Sequence, residues 1–451
     1  MSTIESVESP TASEARRPMR PALLAFWAAA DKALPMLYGL AMIVVAFRVL
    51  DEVQKGVWAV FQMVFMIISL LAEFFILQPM VKLAAERSGE RGPIVTASIV
   101  LYTAFSVLLA CVVIVMPGQL ASLLKVPGAA ATFDVMLLVI ATTLVRNIAI
   151  RILQIDYRIV AIFIVDAAYF APLVGLMIYG SLDGTFDSAM DMVDYNVIAF
   201  AISSLVGAVF TVRDLVPTLA GFGASVRRVL DLGWHQGGTG VLTVTQQQID
   251  VGIVSGMKGA RLTGIYFAAK TFYRFFDAVR DAAQLLLVPA TSRAYAEERI
   301  EAVEEVTEFA TAALVALIFP LTIGLIAFAS VIVPIAIHEP EAIEEFQWLM
   351  ANGFAMPFVI VPSAVLLGIG RTRDLFRGTF IGTFVMVASG LVLTWFFGSV
   401  GMAAGVFCGT AATAVLLTSR MNRYVPFTFG SVLRRSRSFG AILRRRILSR
   451  R

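Results

Sequence analysis

The sequence predicts an all-α integral membrane protein with about twelve transmembrane helices, arranged as two six-helix lobes around a central hydrated cavity. Of its 451 residues, 59% are hydrophobic and only 15% are charged, whereas soluble domains carry roughly 25% charged residues. Apolar runs long enough to span a bilayer follow one another along the chain, and polar residues recur on one face of several of them. The two cysteines and two histidines are too few and too far apart for a disulfide framework or a metal site.

Apolar runs of roughly 18–25 residues mark the transmembrane helices. We place twelve of them near 22–47, 57–81, 93–116, 133–153, 159–180, 195–213, 230–256, 262–288, 307–337, 346–370, 375–398 and 400–420. The connections between these runs are short, so we expect no inserted soluble domain.

The distribution of lysine and arginine predicts that both termini are cytoplasmic in a bacterial inner membrane. Ten arginines lie between residues 420 and 451, while the segments predicted to face outwards hold only Arg48, Lys55, Lys125, Lys258 and Arg261. We expect a disordered cytoplasmic tail at 1–21 and a basic cytoplasmic tail at 426–451. The basic tail suits the anionic lipids of the inner leaflet, or serves only as a topology anchor, and it does not indicate nucleic-acid binding.

The chain divides near its middle into two halves that resemble each other weakly. A connection with Pro217 and a Gly-Phe-Gly stretch predicts a cytoplasmic linker at 217–229, between an N-terminal lobe at 22–216 and a C-terminal lobe at 230–425. Gly56-Val57-Trp58-Ala59 opens the second span, and Gly264-Ile265-Tyr266-Phe267 opens the eighth. Six helices in each half place the two lobes parallel, an arrangement typical of transporters that rock two lobes about a central site.

The eighth span carries five charges, although a charge at the bilayer centre costs at least about 2.5 kcal/mol. At 100° per residue, one face of this helix collects Lys270, Arg274, Asp277, Asp281 and Gln284. Similar polar faces run along the seventh span through His235, Thr239, Thr243, Gln246 and Asp250, along the second through Lys55, Gln62, Ser69 and Glu73, and along the first through Trp27, Asp31 and Tyr38. Polar faces on several helices predict a shared hydrated pathway, although any single pair of opposite charges could also be a structural clamp between helices.

The charges of the predicted pathway indicate what it transports. Its bases are Lys32, Arg146, Lys270, Arg274 and Arg280, and its acids are Asp31, Glu73, Asp166, Asp250, Asp277 and Asp281. Arginine and lysine suit phosphate oxygens, and a carboxylate in a low-dielectric wall is able to exchange H⁺ or Na⁺. We expect no other cofactor and no metal. Four aromatic residues offer faces for sugar rings or simply pack, namely Trp27, Tyr38, Tyr266 and Tyr273.

Two stretches resemble the bacterial O-antigen and exopolysaccharide flippases of the Wzx type, which belong to the superfamily of MATE drug exporters and lipid II flippases. In the first, QQQIDVGIVSGMKGARLTGIYFAAKTFYRFF followed by LLLVPATSRAYAE, the matching positions are Asp250, Gly252, Gly264, Tyr266, Ala268 and Pro289. The second is RVLDEVQKGVWAVFQMVFMIISLLAEFFILQPMVKLAAE, with Gly56 and Gln78.

The resemblance implies a V-shaped bundle that carries a polyprenyl-diphosphate-linked oligosaccharide from the cytoplasmic to the periplasmic leaflet by alternating access, for surface polysaccharide biosynthesis. We expect Arg274 and Lys270 to contact the diphosphate, followed by Arg146 and Arg280. The remaining polar residues would line the cavity, orient these bases or respond to a coupling ion; they are Asp31, Lys32, Glu73, Asp166, Asp250, Asp277, Asp281, Gln246 and Gln284. The expected partners are the lipid-linked oligosaccharide, membrane lipids and possible polymerase or chain-length machinery, with no nucleic acid.

Two other classes of protein compete with a flippase. Asp31 and the excess of acids favour an ion-coupled exporter of cationic small molecules. A polysaccharide polymerase or ligase would need a large outer loop with catalytic residues, but the outer loops are short and His338 stands alone beside Glu339. We therefore expect a transporter and not an enzyme.

Overall fold

The computed structural model describes residues 21–86, 90–215, 217, 218 and 220–426. The two predicted tails, at 1–21 and 426–451, lie outside the described residues apart from Pro21 and Pro426. Throughout the described residues the regular secondary structure is helical, and no strand is present there.

The first half of the chain forms six long helices. Helix α1 runs from Pro21–Ala41 through a π-helical turn at Met42–Ala46 to Phe47–Val49, and α2 is Glu52–Glu86, with a π-helical turn at Glu73–Leu77. They are followed by α3 (Arg91–Val115), α4 (Met136–Ile155), α5 (Ile159–Asp183) and α6 (Ala189–Thr211). Two short helices, Pro117–Leu123 and Ala129–Asp134, connect α3 to α4.

The second half also forms six long helices. Helices α7 (Phe222–Lys258) and α8 (Ala260–Ala296) are joined at Gly259. Helix α9 comprises Ile300–Ala327 and Ala329–Ala336, and α10 comprises Ile343–Ala351 and Pro357–Gly368, joined by the 3₁₀ turn Asn352–Phe354. The continuous run Thr372–Met421 breaks at Gly398, where φ is 66° and ψ is −144°, which divides it into α11 (372–397) and α12 (399–421).

Their length and composition make these helices suitable for crossing a membrane. Among the described residues, eight helices are long and apolar enough, or up to nine if the bent α10 counts as one span. That count treats α11 and α12 as one 50-residue run. It leaves out α7 and α8 because their polar faces make them too polar on average. The chain is therefore an all-α integral membrane protein of about twelve spans, as the sequence predicts.

The element boundaries differ from the predicted ones mainly at the middle of the chain. Helix α7 begins at Phe222, directly after Gly221 in the left-handed conformation with φ 70°, so residues 222–229 of the predicted linker are helical. A residue in the left-handed conformation ends the irregular connection, and glycine adopts this conformation without steric cost. Ser225, Arg227 and Arg228 interrupt the apolar residues at 222–229, so a search for apolar runs does not find this first part of α7.

The backbone itself shows the relation between the two halves. Lys125, Tyr157 and Gly184 have positive φ angles in the first half, as do His338, Gly370 and Gly398 in the second. These six of the nine described residues with positive φ form three pairs whose members are 213, 213 and 214 residues apart, while Gly221, Gly259 and Glu298 fall outside the pairs. Left-handed residues are common at helix ends, and their recurrence at a constant separation shows that the two halves repeat the same succession of helices.

Two glycines bring the halves into contact where α2 and α8 begin. A Cβ atom at Gly56 would collide with the carbonyl oxygen of Ala260, and one at Gly264 would collide with the carbonyl oxygen of Glu52. These two contacts mirror each other. Gly56 lies four residues after Glu52, which Gly264 contacts, and Gly264 lies four residues after Ala260, which Gly56 contacts. Only glycine permits so close an approach of two backbones. We call this end of the bundle the closed end; α2 and α7 also meet at the opposite end, where a Cβ atom at Gly233 would collide with the carbonyl oxygen of Phe75.

Candidate functional site

The polar face of α8 runs from the closed end towards the opposite end of the bundle, between the two lobes. Near the closed end, Lys270 donates hydrogen bonds to Asp250 Oδ1 at 2.8 Å and to the Gln247 carbonyl oxygen at 2.7 Å. Tyr266 donates to the other oxygen of Asp250 at 2.7 Å. The Asp250 side chain is only 3% exposed, so Lys270 and Tyr266 compensate a buried carboxylate and join α7 to α8.

One turn further along α8, Arg274 reaches across to the N-terminal lobe. Its guanidinium donates to Gln62 Oε1 on α2 at 3.5 Å, and it interacts electrostatically with Tyr38 on α1 and Tyr169 on α5. Within the part of the chain that the structure describes, no carboxylate lies within 4.0 Å of this guanidinium. Arg274 is therefore a cation at the lobe interface whose single hydrogen bond, to a neutral amide, is long.

Further from the closed end, Arg280 is neutralised on its own helix. Its guanidinium contacts Asp277 Oδ1 at 2.9 Å and Asp281 Oδ1 at 3.6 Å. The Asp281 side chain is 53% exposed, and the nearby Leu285 and Leu286 are also exposed. The second half of α8 is thus less covered than its first half.

A second cluster of charges lies inside the N-terminal lobe, on α1, α4 and α5. Arg146 forms an ion pair with Asp166 and stacks over the ring of Tyr169 at 5.0 Å from its centroid. Asp31 interacts with Asp166, and Lys32 lies 3.8 Å from Asp31 but is 70% exposed. Because Asp31 Oδ1 is buried and lacks a hydrogen-bond partner among the described atoms, this carboxylate has unused capacity for a proton or a small cation.

The other predicted cavity residues are partly separated from these two clusters. Glu73, in the π-helical turn of α2, forms an ion pair with Arg151 and accepts a hydrogen bond from Gln78 at 3.4 Å. Gln246 and Gln284 are partly buried and make no hydrogen bond within the described part of the chain. The side chains of His235 and Thr239 lie outside the described residues. The described residues contain no group of three or more His, Cys, Asp or Glu side chains that could hold a metal ion.

The structure also brings together a charge network at the closed end that the sequence does not predict. Lys55 on α2, at 1% exposure, donates to Glu339 at 2.8 Å and to the Ile337 carbonyl oxygen at 3.5 Å. Arg261 on α8 pairs with Glu52 of α2 and with Glu341 at 2.7 Å. These partners lie up to 284 residues apart in sequence, so no local pattern indicates that they meet.

Glu339 is the carboxylate of this network that lies between helices. Its burial raises its pKa above the ordinary 4.5, and the hydrogen bond from Lys55 opposes that rise. Glu52, from the other lobe, interacts with Glu339 and also raises its pKa. The closed end therefore holds two neighbouring carboxylates from opposite lobes with a base beside each.

Solved structures with the same fold include transporters. A multidrug resistance MATE family transporter of the MOP superfamily, in an inward-facing conformation, superposes with a TM-score of 0.71 at 16% identity, over 88% of this chain and 98% of that one. Lipid II flippase MurJ, in an inward closed conformation, superposes with a TM-score of 0.69 at 13% identity, over 95% and 93%. The Vibrio cholerae MATE transporter VcmN gives 0.58 at 14% identity, over 89% and 98%.

The chain therefore has the fold of these transporter and flippase structures, with two six-helix lobes that meet at a charged interface. It belongs to the polysaccharide biosynthesis protein family, whose sequence model matches residues 44–340. The match includes both stretches on which the flippase resemblance depends and confirms it. No curated protein matches the sequence.

Proposed function

We propose that the protein is a flippase that moves a polyprenyl-diphosphate-linked oligosaccharide from the cytoplasmic to the periplasmic leaflet of a bacterial inner membrane, for surface polysaccharide biosynthesis. The observation that carries this proposal is Arg274, a cation between the lobes without a carboxylate partner among the described residues. Membership of a polysaccharide biosynthesis family supports it, as does the fold shared with a lipid II flippase.

The surroundings of Arg274 suit a lipid diphosphate. A guanidinium binds phosphate oxygens through two parallel hydrogen bonds, and Gln62 on the opposite lobe adds an amide that can donate as well. Tyr38 and Tyr169 lie nearby, but both are buried and pack against Phe170 and Phe200, so they shape the wall beside Arg274 and do not offer a free ring face. The polyprenyl tail would remain in the bilayer, since only the charged head needs a polar path.

The other predicted phosphate contacts differ from Arg274 because their positive charges are already paired with carboxylates. Lys270, Arg146 and Arg280 each have a carboxylate partner. In the proposed mechanism they shape and neutralise the pathway, and they contact phosphate only if their acids become protonated or move away. We assign the leading role to Arg274 and keep these three as secondary contacts.

The proposed transport is coupled to an ion and depends on other membrane components. The unused oxygen of Asp31 beside Asp166 makes this pair our candidate for H⁺ or Na⁺ binding. Both termini would be cytoplasmic, so the closed end would face the periplasm. A polymerase and chain-length machinery would receive the delivered oligosaccharide, and no covalent reaction is assigned to this protein.

The experiment that tests this function is a deletion in the native host, complemented by variants. Loss of surface polysaccharide, with lipid-linked oligosaccharide accumulating in the inner leaflet, is the expected result. The strain complemented with Arg274→Ala should make at least about tenfold less polymer than the strain complemented with the natural protein, which is the loss expected for a charged hydrogen bond. The variant should reach the membrane in equal amount. Arg227→Ala is the matched control, because that arginine is 87% exposed at the start of α7, and it should restore polymer fully.

Export of cationic small molecules is the second candidate, and the Asp31–Asp166 pair favours it. Two interacting carboxylates inside the N-terminal lobe form an anionic site, and two of the structures with this fold are described as MATE transporters, one of them a multidrug resistance protein. Unchanged polymer in the deletion strain, together with new sensitivity to cationic drugs, would establish this reading in place of the flippase.

A further inference from the structure

The network at the closed end has a reciprocal arrangement. The N-terminal lobe supplies the acid Glu52 and the base Lys55, and the C-terminal lobe supplies the base Arg261 and the acid Glu339. Each base pairs with the acid of the opposite lobe: Lys55 with Glu339 at 2.8 Å, and Arg261 with Glu52. Both pairs surround the glycine crossing of α2 and α8, so they exist together only while the lobes meet at this end.

Each base also has an acid of its own lobe within reach. Glu52 and Lys55 are three residues apart on α2, the spacing at which helical side chains meet. Arg261 already contacts Glu341 of its own lobe at 2.7 Å while it pairs with Glu52. If the lobes separated at the closed end, Lys55 would turn to Glu52 and Arg261 would keep Glu341. Separation would therefore leave neither base without a carboxylate.

We infer that these five residues form a partner-exchanging latch, in which ion pairs between the lobes hold the closed end and ion pairs within each lobe replace them when it opens. A switching element needs two arrangements of similar free energy. A buried ion pair whose partners had no alternative would hold the lobes together permanently, because a stranded buried charge is strongly unfavourable. The in-lobe partners remove that obstacle. The latch is independent of the chemistry of the cargo.

The latch predicts opposite effects for the two partners of one exposed ion pair. Arg261→Gln removes a bond between the lobes and should raise the ratio of open to closed molecules at this end. Glu341→Gln removes the partner that Arg261 retains after opening and should lower the same ratio. Both residues are about half exposed or more, so each change should be about two- to fivefold, as for other exposed ion pairs, with little effect on folding.

The measurement is the distance between spin labels on the two lobes, in purified protein without cargo. Cysteines at Val53 and Glu344, both exposed near the closed end, carry the labels in a background where Cys111 and Cys408 are replaced by serine. Lys55→Gln should increase the long-distance population about tenfold or more, because Lys55 is buried. Partner exchange would be overturned if Arg261→Gln and Glu341→Gln changed the long-distance population in the same direction. It would also be overturned if the distances were unchanged in the protein that combines Lys55→Gln with Arg261→Gln.

A cross-linking experiment relates the latch to transport. Glu52→Cys with Arg261→Cys, joined by a short reducible thiol cross-linker, ties the lobes together and should stop transport until the cross-link is reduced. Gln119→Cys with Ser122→Cys joins two exposed positions of one lobe that lie outside the latch, and is the control, which should keep transporting. Transport that survives the first cross-link, or is lost with the second, contradicts the latch. The spin-label distances need no transport and so judge the latch even if the proposed cargo is wrong.

Discussion

Lys270 provides the sharpest test of which charges are structural, because its removal leaves a buried acid behind. We consider Lys270→Met, which keeps the length of the side chain and removes its charge. The Asp250 carboxylate is 3% exposed and then retains hydrogen bonds only from the neutral Tyr266 hydroxyl and the Val251 backbone N–H. Removing one partner of a buried ion pair costs about 3–5 kcal/mol, a large fraction of the 5–15 kcal/mol that typically separates folded from unfolded protein.

The matched variant is Arg274→Met on the same helix. Arg274 makes one hydrogen bond, at 3.5 Å to a neutral amide, and no described carboxylate depends on it, so we expect a cost below about 1 kcal/mol. Asp250→Asn combined with Lys270→Met removes both charges together. This double variant should recover most of the loss, because a neutral amide is far less costly to bury than an unpaired carboxylate.

Thermal unfolding of the purified protein in detergent measures these differences. At roughly 2 °C per kcal/mol for a large chain, Lys270→Met should lower Tm by about 6–10 °C, Arg274→Met by less than about 2 °C, and the double variant by an intermediate amount. Equal losses for Lys270→Met and Arg274→Met would refute the distinction between a structural base and a free one. A double variant no more stable than Lys270→Met would show that the pair is not coupled.

Two further predictions concern the closed end and the pathway. Gly56→Ala should cost about 1–3 kcal/mol by overpacking against Ala260, whereas Gly39→Ala, which meets open space in α1, should leave Tm unchanged or raise it. A cysteine at Gln284, on the less covered half of α8, should react with a water-soluble thiol reagent, and protection from it would argue against a hydrated pathway.

The fold was largely predictable because apolar length and period determine it. Hydrophobic runs locate twelve helices, and the paired glycines that open the second and eighth spans form one of the close contacts between the lobes. The first part of α7 was missed because a helix that begins in polar sequence gives no apolar signal before it enters the membrane. The three-dimensional repeat of left-handed residues was also invisible, because Lys125 and His338 share a backbone conformation but no side-chain chemistry.

The candidate site was predictable only as far as helix faces allow. Helical period placed Lys270, Arg274 and Asp250 on faces that meet, since each face is a property of one helix. It could not tell which charges would pair, because Lys55 with Glu339 and Arg146 with Asp166 belong to different helices. Pairing depends on how helices pack, and a single sequence does not record it. The closed-end network was missed for this reason.

The pairing pattern itself supports an anionic cargo. A charge inside a membrane protein is tolerated when a partner or water compensates it, and the structure supplies acids to Lys270, Arg146 and Arg280. Arg274 lies one turn beyond Lys270 on the polar face of α8, between the two lobes, with only the amide of Gln62 within hydrogen-bonding distance. Asp277 interacts with it electrostatically, yet the described residues bring no carboxylate within 4.0 Å of it. A guanidinium left in this way at a lobe interface is poised for an anion that comes from outside the protein, and a diphosphate that joins both lobes through Arg274 and Gln62 fits that position better than a cation would.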